Sequence, residues 1–171
     1  MSTRQPPRVV VVPYDPAWPG LFEEIKSRVA PALMEIAIAI EHVGSTSVPG
    51  LAAKPVIDLD AVVSTERDVQ TAIHALAGVG YVHRGDLGVP GREAFARPQD
   101  LPRHHLYLVV LNNKAYRDHI ILRDYLRAHP EACLAYELLK RAAAEKFPHD
   151  IDAYIAAKAP FIEGLLCLAS Q

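Results

Sequence analysis

Asp58-Leu59-Asp60 lies inside the apolar run of residues 56–63, and no other feature of the chain constrains its fold as strongly. Side chains alternate across a β-strand, so residues two apart share one face. The two carboxylates then stand side by side, about 7 Å apart along the strand. Two anions that close repel unless a cation or a proton joins them. A run this apolar reads as a central strand, and a central strand seldom carries two charges without a chemical purpose. Just upstream is the turn Gly44-Ser45-Thr46-Ser47. Gly44 permits positive φ and close backbone approach. The hydroxyls and N–H groups of the turn can wrap a phosphate. Mg²⁺ takes carboxylate oxygens together with substrate phosphates and water. Turn and aspartates therefore point to Mg²⁺, with Mn²⁺ as the alternative, and a nucleoside triphosphate.

A chain of 171 residues fits one domain, expected over residues 9–171, behind a flexible N-terminal tail of residues 1–8. The net charge of −2 gives no reason to expect nucleic acid or an anionic membrane as a partner. No run approaches the ~18 apolar residues of a membrane span. Residues 1–8 lack the apolar core of a signal peptide. Cys133 and Cys167 are far apart and read as reduced. The expectation is a cytoplasmic protein, with homo-oligomerisation left open.

Periodicity and breakers predict the elements. Residues 9–12 read as a buried strand or lead-in, and Pro19 fits the start of a helix through Phe22, Ile25 and Val29 that Pro31 should end or kink. Strands follow at 36–43 and 56–63. Thr65 and Asp68 suit a capping box for a helix closed by Gly78 and Gly80. Short strands are expected at 79–84 and 92–97, and a strong one at 104–111. Three helices complete the chain: one capped near Asn113, one opened by Pro130, and one capped by Asp150 and bent at Pro160. A mixed sheet region followed by a helical C-terminal third is an α+β architecture. Several familiar sites are absent: there is no GxxxxGK[ST], GxGxxG, GxSxG or HExxH pattern.

Twelve residues, 46–57, separate Ser45 from Asp58. A glycine-serine turn, this gap and then Asp-apolar-Asp on a strand resemble the nucleotidyltransferase superfamily signature. The likeness extends to Tyr14-Asp15-Pro16-Ala17-Trp18-Pro19, to the whole stretch from Glu41 to Asp60, and to Arg123-Asp124-Tyr125-Leu126-Arg127. It also takes in Tyr136, Lys140, Tyr154 and Lys158, and over nearly its whole length the chain resembles the GrpB family. That resemblance implies a nucleotidyltransferase-like mixed sheet with flanking helices. In that fold the turn holds the triphosphate and the aspartates hold the metal. Catalytic members of the superfamily usually add a third carboxylate from a later strand. Here that strand reads His104-His105-Leu106-Tyr107-Leu108, with no acid, and Tyr107 departs from the His-apolar-His of the GrpB pattern. Glu93 is the nearest alternative. His105 stands as a catalytic candidate for proton transfer, or as a ligand for a softer metal.

Several cations are candidates for the phosphates. Lys54 lies in the loop before the Asp58 strand; it reads as a phosphate ligand or as a solvated loop lysine. Arg92 and Arg97 flank a strand behind a glycine-rich loop and could grip phosphate bidentately. Arg123 is a phosphate ligand or half of a surface ion pair with Asp124. Lys158 falls on the apolar stripe of the last helix, so its amine snorkels out or reaches a cleft beside the sheet. Tyr136 and Lys140, four apart, could line the same cleft. Two functions stay open. One is a metal-dependent transferase with Asp58, Asp60 and His105 at its centre and Gly44, Ser45, Thr46, Lys54, Arg97, Arg123, Lys140 and Lys158 around the triphosphate. The other is a non-catalytic module that binds a nucleotide or phosphometabolite.

Overall fold

The computed structural model describes residues 7–170. Of the expected tail, residues 1–6 lie outside the described part. By Val9 the chain is tied down, its N–H donating to the Pro148 carbonyl at 2.8 Å. The expected first strand reduces to one antiparallel bridge, Val12 to Ala53.

Helix α1 (Trp18–Leu33) starts with Pro19 in its first turn and carries Pro31 in its last. Its buried residues Trp18, Phe22, Ile25, Val29 and Leu33 recur at helical spacing. Strands β1 (Ala37–Val43) and β2 (Ile57–Val63) follow, then α2 (Glu66–Gly78), β3 (Val82–His83), β4 (Arg92–Ala96) and β5 (His104–Val110). The Asp68 carboxylate accepts from the Thr65 N–H at 2.9 Å, closing the capping box at the start of α2. Helices α3 (Lys114–Ala128), α4 (Pro130–Lys146) and α5 (Ile151–Ala169) form the helical third. Asn113 caps α3 and Asp150 caps α5, each through its side-chain oxygen. Pro160 sits within α5, which the structure assigns as one helix. The expected strand at 79–84 shortens to two residues, because Gly80 and Gly85 take positive φ on either side of it.

The five strands are ordered β1-β2-β5-β4-β3. β2 and β5 are parallel and the other pairs antiparallel, so the sheet is mixed as expected. Strand parity decides which face is which. Leu59, Ala61, Val63, Leu106 and Leu108 form one core with Phe22, Ile25 and Val29 of α1 and Ala72 and Leu76 of α2. Each aliphatic side chain fully buried there contributes about 1.5–3 kcal/mol. Asp58 and Asp60 alternate with these residues and so face the opposite side. There α3 packs against β1 and β5, and α5 packs on α3 and α4. Leu126, Tyr136 and Leu165 from these helices enclose Val48 and Leu51 of the loop behind the glycine turn. The helical third thus roofs the charged face of β2.

Candidate functional site

Gly44 follows β1 with φ 70° and ψ −176°, a conformation that favours glycine. A Cβ placed there would lie 2.5 Å from Asp58 Oδ2. Only glycine therefore lets the turn come this close to the first aspartate. The following residues form a single 3₁₀ turn, Ser45–Ser47. Its hydroxyls are not equivalent. Ser47 donates Oγ–H to the Gly44 carbonyl at 2.6 Å. Thr46 is buried and pairs with His42 Nε2 at 2.9 Å. Burial lowers the His42 imidazole to about 4, outweighing the pull of Asp58, so that ring is neutral at pH 7. It stacks on Phe22 with 4.8 Å between centroids. Arg127 reaches in from α3 and donates Nε–H and Nη2–H to the Ser47 carbonyl at 3.1 and 2.7 Å. Ser45 is only half-buried and shares a hydrogen bond with Tyr136. The turn is thus held from both sides, with Ser45 its accessible hydroxyl.

The two aspartates differ in setting. Asp58 is registered against Val43 and His105, and Asp60 against Glu41 and Tyr107. The Asp58 side chain is 28% exposed and accepts from His105 Nδ1–H at 2.8 Å. The Asp60 side chain is fully buried and accepts from His119 Nδ1–H at 2.7 Å, while its Oδ1 is buried with no hydrogen-bond partner. Burial raises the Asp60 carboxyl, against the pull of His119. Burial works to lower the His119 imidazole, but its bond to Asp60 and the charges of Asp60 and Asp58 prevail and raise it. The pair therefore holds a proton more tightly than either group would in water.

Three lysines converge on Asp58 from above. A hollow of about 250 Å³ is lined by Ser45, Lys54, Asp58, His105, Lys140 and Lys158, among others. A second, of about 200 Å³, adjoins it through Ser45, Asp58 and Lys158 and reaches His119 and Tyr136. Lys140 is 1% exposed, donates to the Ala52 carbonyl, and lies 4.6 Å from the centre of the Tyr136 ring. Lys158 lies over the Tyr154 ring at 4.4 Å, and Lys54 over the same ring at 5.8 Å. Burial lowers all three amines: Lys140 to about 7 with help from Lys158, Lys158 to about 8 with help from Lys54, and Lys54 below its usual value with help from Arg103. Crowded ammoniums under aromatic rings create a strong local demand for an anion.

The structure corrects other expectations. Arg97 does not reach the cleft. Its Nη1–H groups donate to the Pro98 and Leu101 carbonyls at 2.9 and 2.8 Å, because the chain folds back locally to offer them. Arg123 does border the second hollow, but its guanidinium is engaged by Glu41 Oε2 at 2.8 Å, the His42 carbonyl at 3.1 Å and Asp124 at 2.8 Å. It acts as a clamp between α3 and β1 rather than as a free phosphate ligand. Glu93 fails as a third carboxylate, since it is registered with Leu108 on the opposite face and pairs with His83 at 2.5 Å. On the charged face the corresponding place on β5 holds Tyr107, with the Arg92 guanidinium 4.2 Å from its ring centre. Sequence reasoning missed His119, the hold of Arg127 on the Ser47 carbonyl and the Thr46–His42 pair. The helical spacing of Tyr116, His119 and Arg123 was the available signal for the first.

Among the described residues no group of three or more His, Cys, Asp and Glu side chains is placed to hold a metal ion. Mg²⁺ needs no such cage, since one or two carboxylates plus phosphates and water suffice. The unpartnered, buried Asp60 Oδ1 is what a carboxylate awaiting a cation looks like, so the two aspartates fit that donor set.

Residues 8–167 match the sequence profile of a family described as GrpB protein. The chain belongs to the GrpB family. It is 35% identical over 156 residues to the UPF0157 protein YqkA of Bacillus subtilis (strain 168), a match covering 91% of this chain and 46% of that one. The chain therefore spans about half the length of this relative. The crystal structure of the conserved protein GrpB from Enterococcus faecalis superposes with a TM-score of 0.83 at 34% identity, covering 94% and 96% of the two chains. A more distant likeness is to the Cid1 poly(U) polymerase bound to MgGTP, with a TM-score of 0.55 at 13% identity over 79% of this chain and 44% of that one. At that identity the likeness shows the fold alone, and the fold of this GrpB-family chain is nucleotidyltransferase-like. Among the described residues no helix is long and apolar enough to cross a membrane.

Proposed function

We propose that this protein binds a nucleoside triphosphate in the cleft beneath α4 and α5 and transfers the nucleotidyl group to an acceptor hydroxyl. One observation carries this reading: Asp58, Ser45 and Thr46 of the glycine turn, and the three depressed lysines line one hollow. A triphosphate supplies the several negative charges that the lysines lack. Lys140 and Lys158 would hold its terminal phosphates, and the Ser45 hydroxyl and turn N–H groups would fix its orientation. Asp58 and Asp60 would hold Mg²⁺, or Mn²⁺, which when bound offsets phosphate charge as the leaving group departs. In the transfer an acceptor oxygen bonds to the α-phosphorus as the bond to the β-phosphate oxygen breaks. Pyrophosphate leaves with that electron pair, and the acceptor proton passes to solvent. The likeness to Cid1, which was crystallised with MgGTP, supports this reading by analogy of fold only.

Tyr107 supports a second reading, a module that binds the same ligand without transfer. The residue registered with Asp60 on β5 is a phenol under an arginine, where an active transferase would carry an acid. One experiment separates the readings. ATP, CTP, GTP and UTP are titrated with and without Mg²⁺ or Mn²⁺, following thermal shift and then pyrophosphate release. Metal-dependent binding with release supports transfer. Binding without release supports the module. No binding by any of the four, with or without metal, refutes both.

A further inference from the structure

We infer that a separate apolar chamber beside the aspartate cleft is a second ligand site, taking a small molecule with an apolar body and an anionic head. Its volume is about 620 Å³, larger than either hollow over Asp58 and within the range of small-molecule sites. Val10, Pro55, Val56, Ile151 and Ile155 form its walls. Val10, Ile151 and Ile155 are 48%, 41% and 53% exposed. Single exposed aliphatics are ordinary, but three around one concavity mark a place where apolar surface awaits cover.

The charge at the rim identifies the head group. Arg8, Lys54 and Arg103 line the chamber, and no Asp or Glu does. The chain as a whole has 20 acidic against 18 Lys and Arg side chains, so this imbalance is local. Among the described residues neither arginine has an ion-pair partner. Burial lowers the Lys54 amine against the pull of Asp58 in the adjoining hollow, and Arg103 adds to the lowering. The walls are fixed by backbone pairing. Val9 donates to the Pro148 carbonyl at 2.8 Å, and Val12 and Ala53 exchange bonds at 2.9 and 3.0 Å. A carboxylate, sulfonate or phosphate would meet the cations while its ring or short acyl body displaced water from the walls.

Lys54, Val56, His105 and Ile155 line this chamber and the aspartate hollow alike. A molecule seated here ends beside Asp58. Resting on the transfer reading above, its occupant is the acceptor and carries, besides the anionic head, the hydroxyl that reacts.

The test uses the full chain and anilinonaphthalene sulfonate, a fluorescent apolar anion. Saturable binding of about one dye per chain is expected, displaced by octanoate but not by octanol. Arg103→Glu and Ile151→Asp, both at exposed positions, should each weaken the dye by about tenfold or more, the equivalent of ~1.4 kcal/mol. Both should keep the parent's far-UV circular dichroism and a single cooperative melting transition, which verifies that they fold. Dye binding that does not saturate, or that neither variant weakens, overturns the site. Equal displacement by octanol overturns the anionic head. Dye binding as expected in a chain that ignores all triphosphates would sink the transferase reading and leave this chamber standing.

Discussion

Replacing Lys140 with Met should stabilise the ligand-free protein, and by an amount that depends on pH. Lys140 is 1% exposed, and burial, with Lys158 adding repulsion, draws its amine from the usual 10.5 to about 7. One pH unit of difference is worth about 1.4 kcal/mol. At pH 6 the Lys140 amine of the parent is protonated in both the folded and the unfolded state, so holding the ammonium inside costs on the order of 4–5 kcal/mol. Met fills a similar volume without charge but forfeits the hydrogen bond to the Ala52 carbonyl, about 1 kcal/mol. The net gain at pH 6 is about 3 kcal/mol. The folded value lies below the unfolded one, so between about pH 7 and 10.5 the unfolded chain carries the extra proton. The parent's stability climbs across that window, and the advantage of Met should be ~2–3 kcal/mol smaller at pH 9 than at pH 6. Urea unfolding of both proteins at pH 6, 7.5 and 9 reads this directly. A variant less stable than the parent at pH 6, or a gap that ignores pH, would refute the account of a buried, uncompensated ammonium. The same variant should lose most of its triphosphate-induced thermal shift.

The other expectations concern the strand and the turn. Asp58→Asn should abolish the Mg²⁺-dependent part of triphosphate binding in calorimetry while leaving urea stability within about 1 kcal/mol, since Asp58 is 28% exposed; an intact metal effect would remove Asp58 from the metal site. His119→Leu strands Asp60 as a buried charge and should cost about 3–5 kcal/mol near pH 8. Asp60 is then raised further and can be relieved by protonation, so the loss should shrink as the pH falls toward 4.5; equal losses at both would show that the pair is not what holds Asp60. Gly44→Ala forces a Cβ to within 2.5 Å of Asp58 Oδ2 at a left-handed φ. It should lower stability by about 1–3 kcal/mol and weaken metal binding with it, and a melting temperature equal to the parent's would contradict that geometry.

Much of the architecture was legible because parity and breakers are local signals. Alternation around Asp58 and Asp60 foretold which face of β2 carries charge, and Asn113, Pro130 and Asp150 marked the starts of the last three helices. Lys158 was legible too, as a cation on an apolar stripe. What failed were readings that need a third dimension. His119 finds Asp60 across 59 residues, between layers that no periodicity relates. Arg97 looked like a phosphate ligand because a guanidinium after a glycine-rich loop is free to roam in a sequence, whereas in the fold two carbonyls one and four residues ahead claim it. Arg123 was ambiguous for the same reason, with Glu41 out of sight 82 residues away. The two aspartates, equivalent on paper, part company because α3 seals one and leaves the other at the mouth of the cleft.

The ring beneath Lys158 has a last consequence. An ammonium that is already ion-paired has a resident carboxylate, which a newcomer must evict before the cation is free. Among the described residues Lys158 has no ion-pair partner: Tyr154 steadies it by the face of its ring, and Asp58 acts on it only across the hollow, so an incoming anion evicts nothing. Association should then be fast and steeply weakened by added salt, as for a socket whose charge stays on show until something fills it.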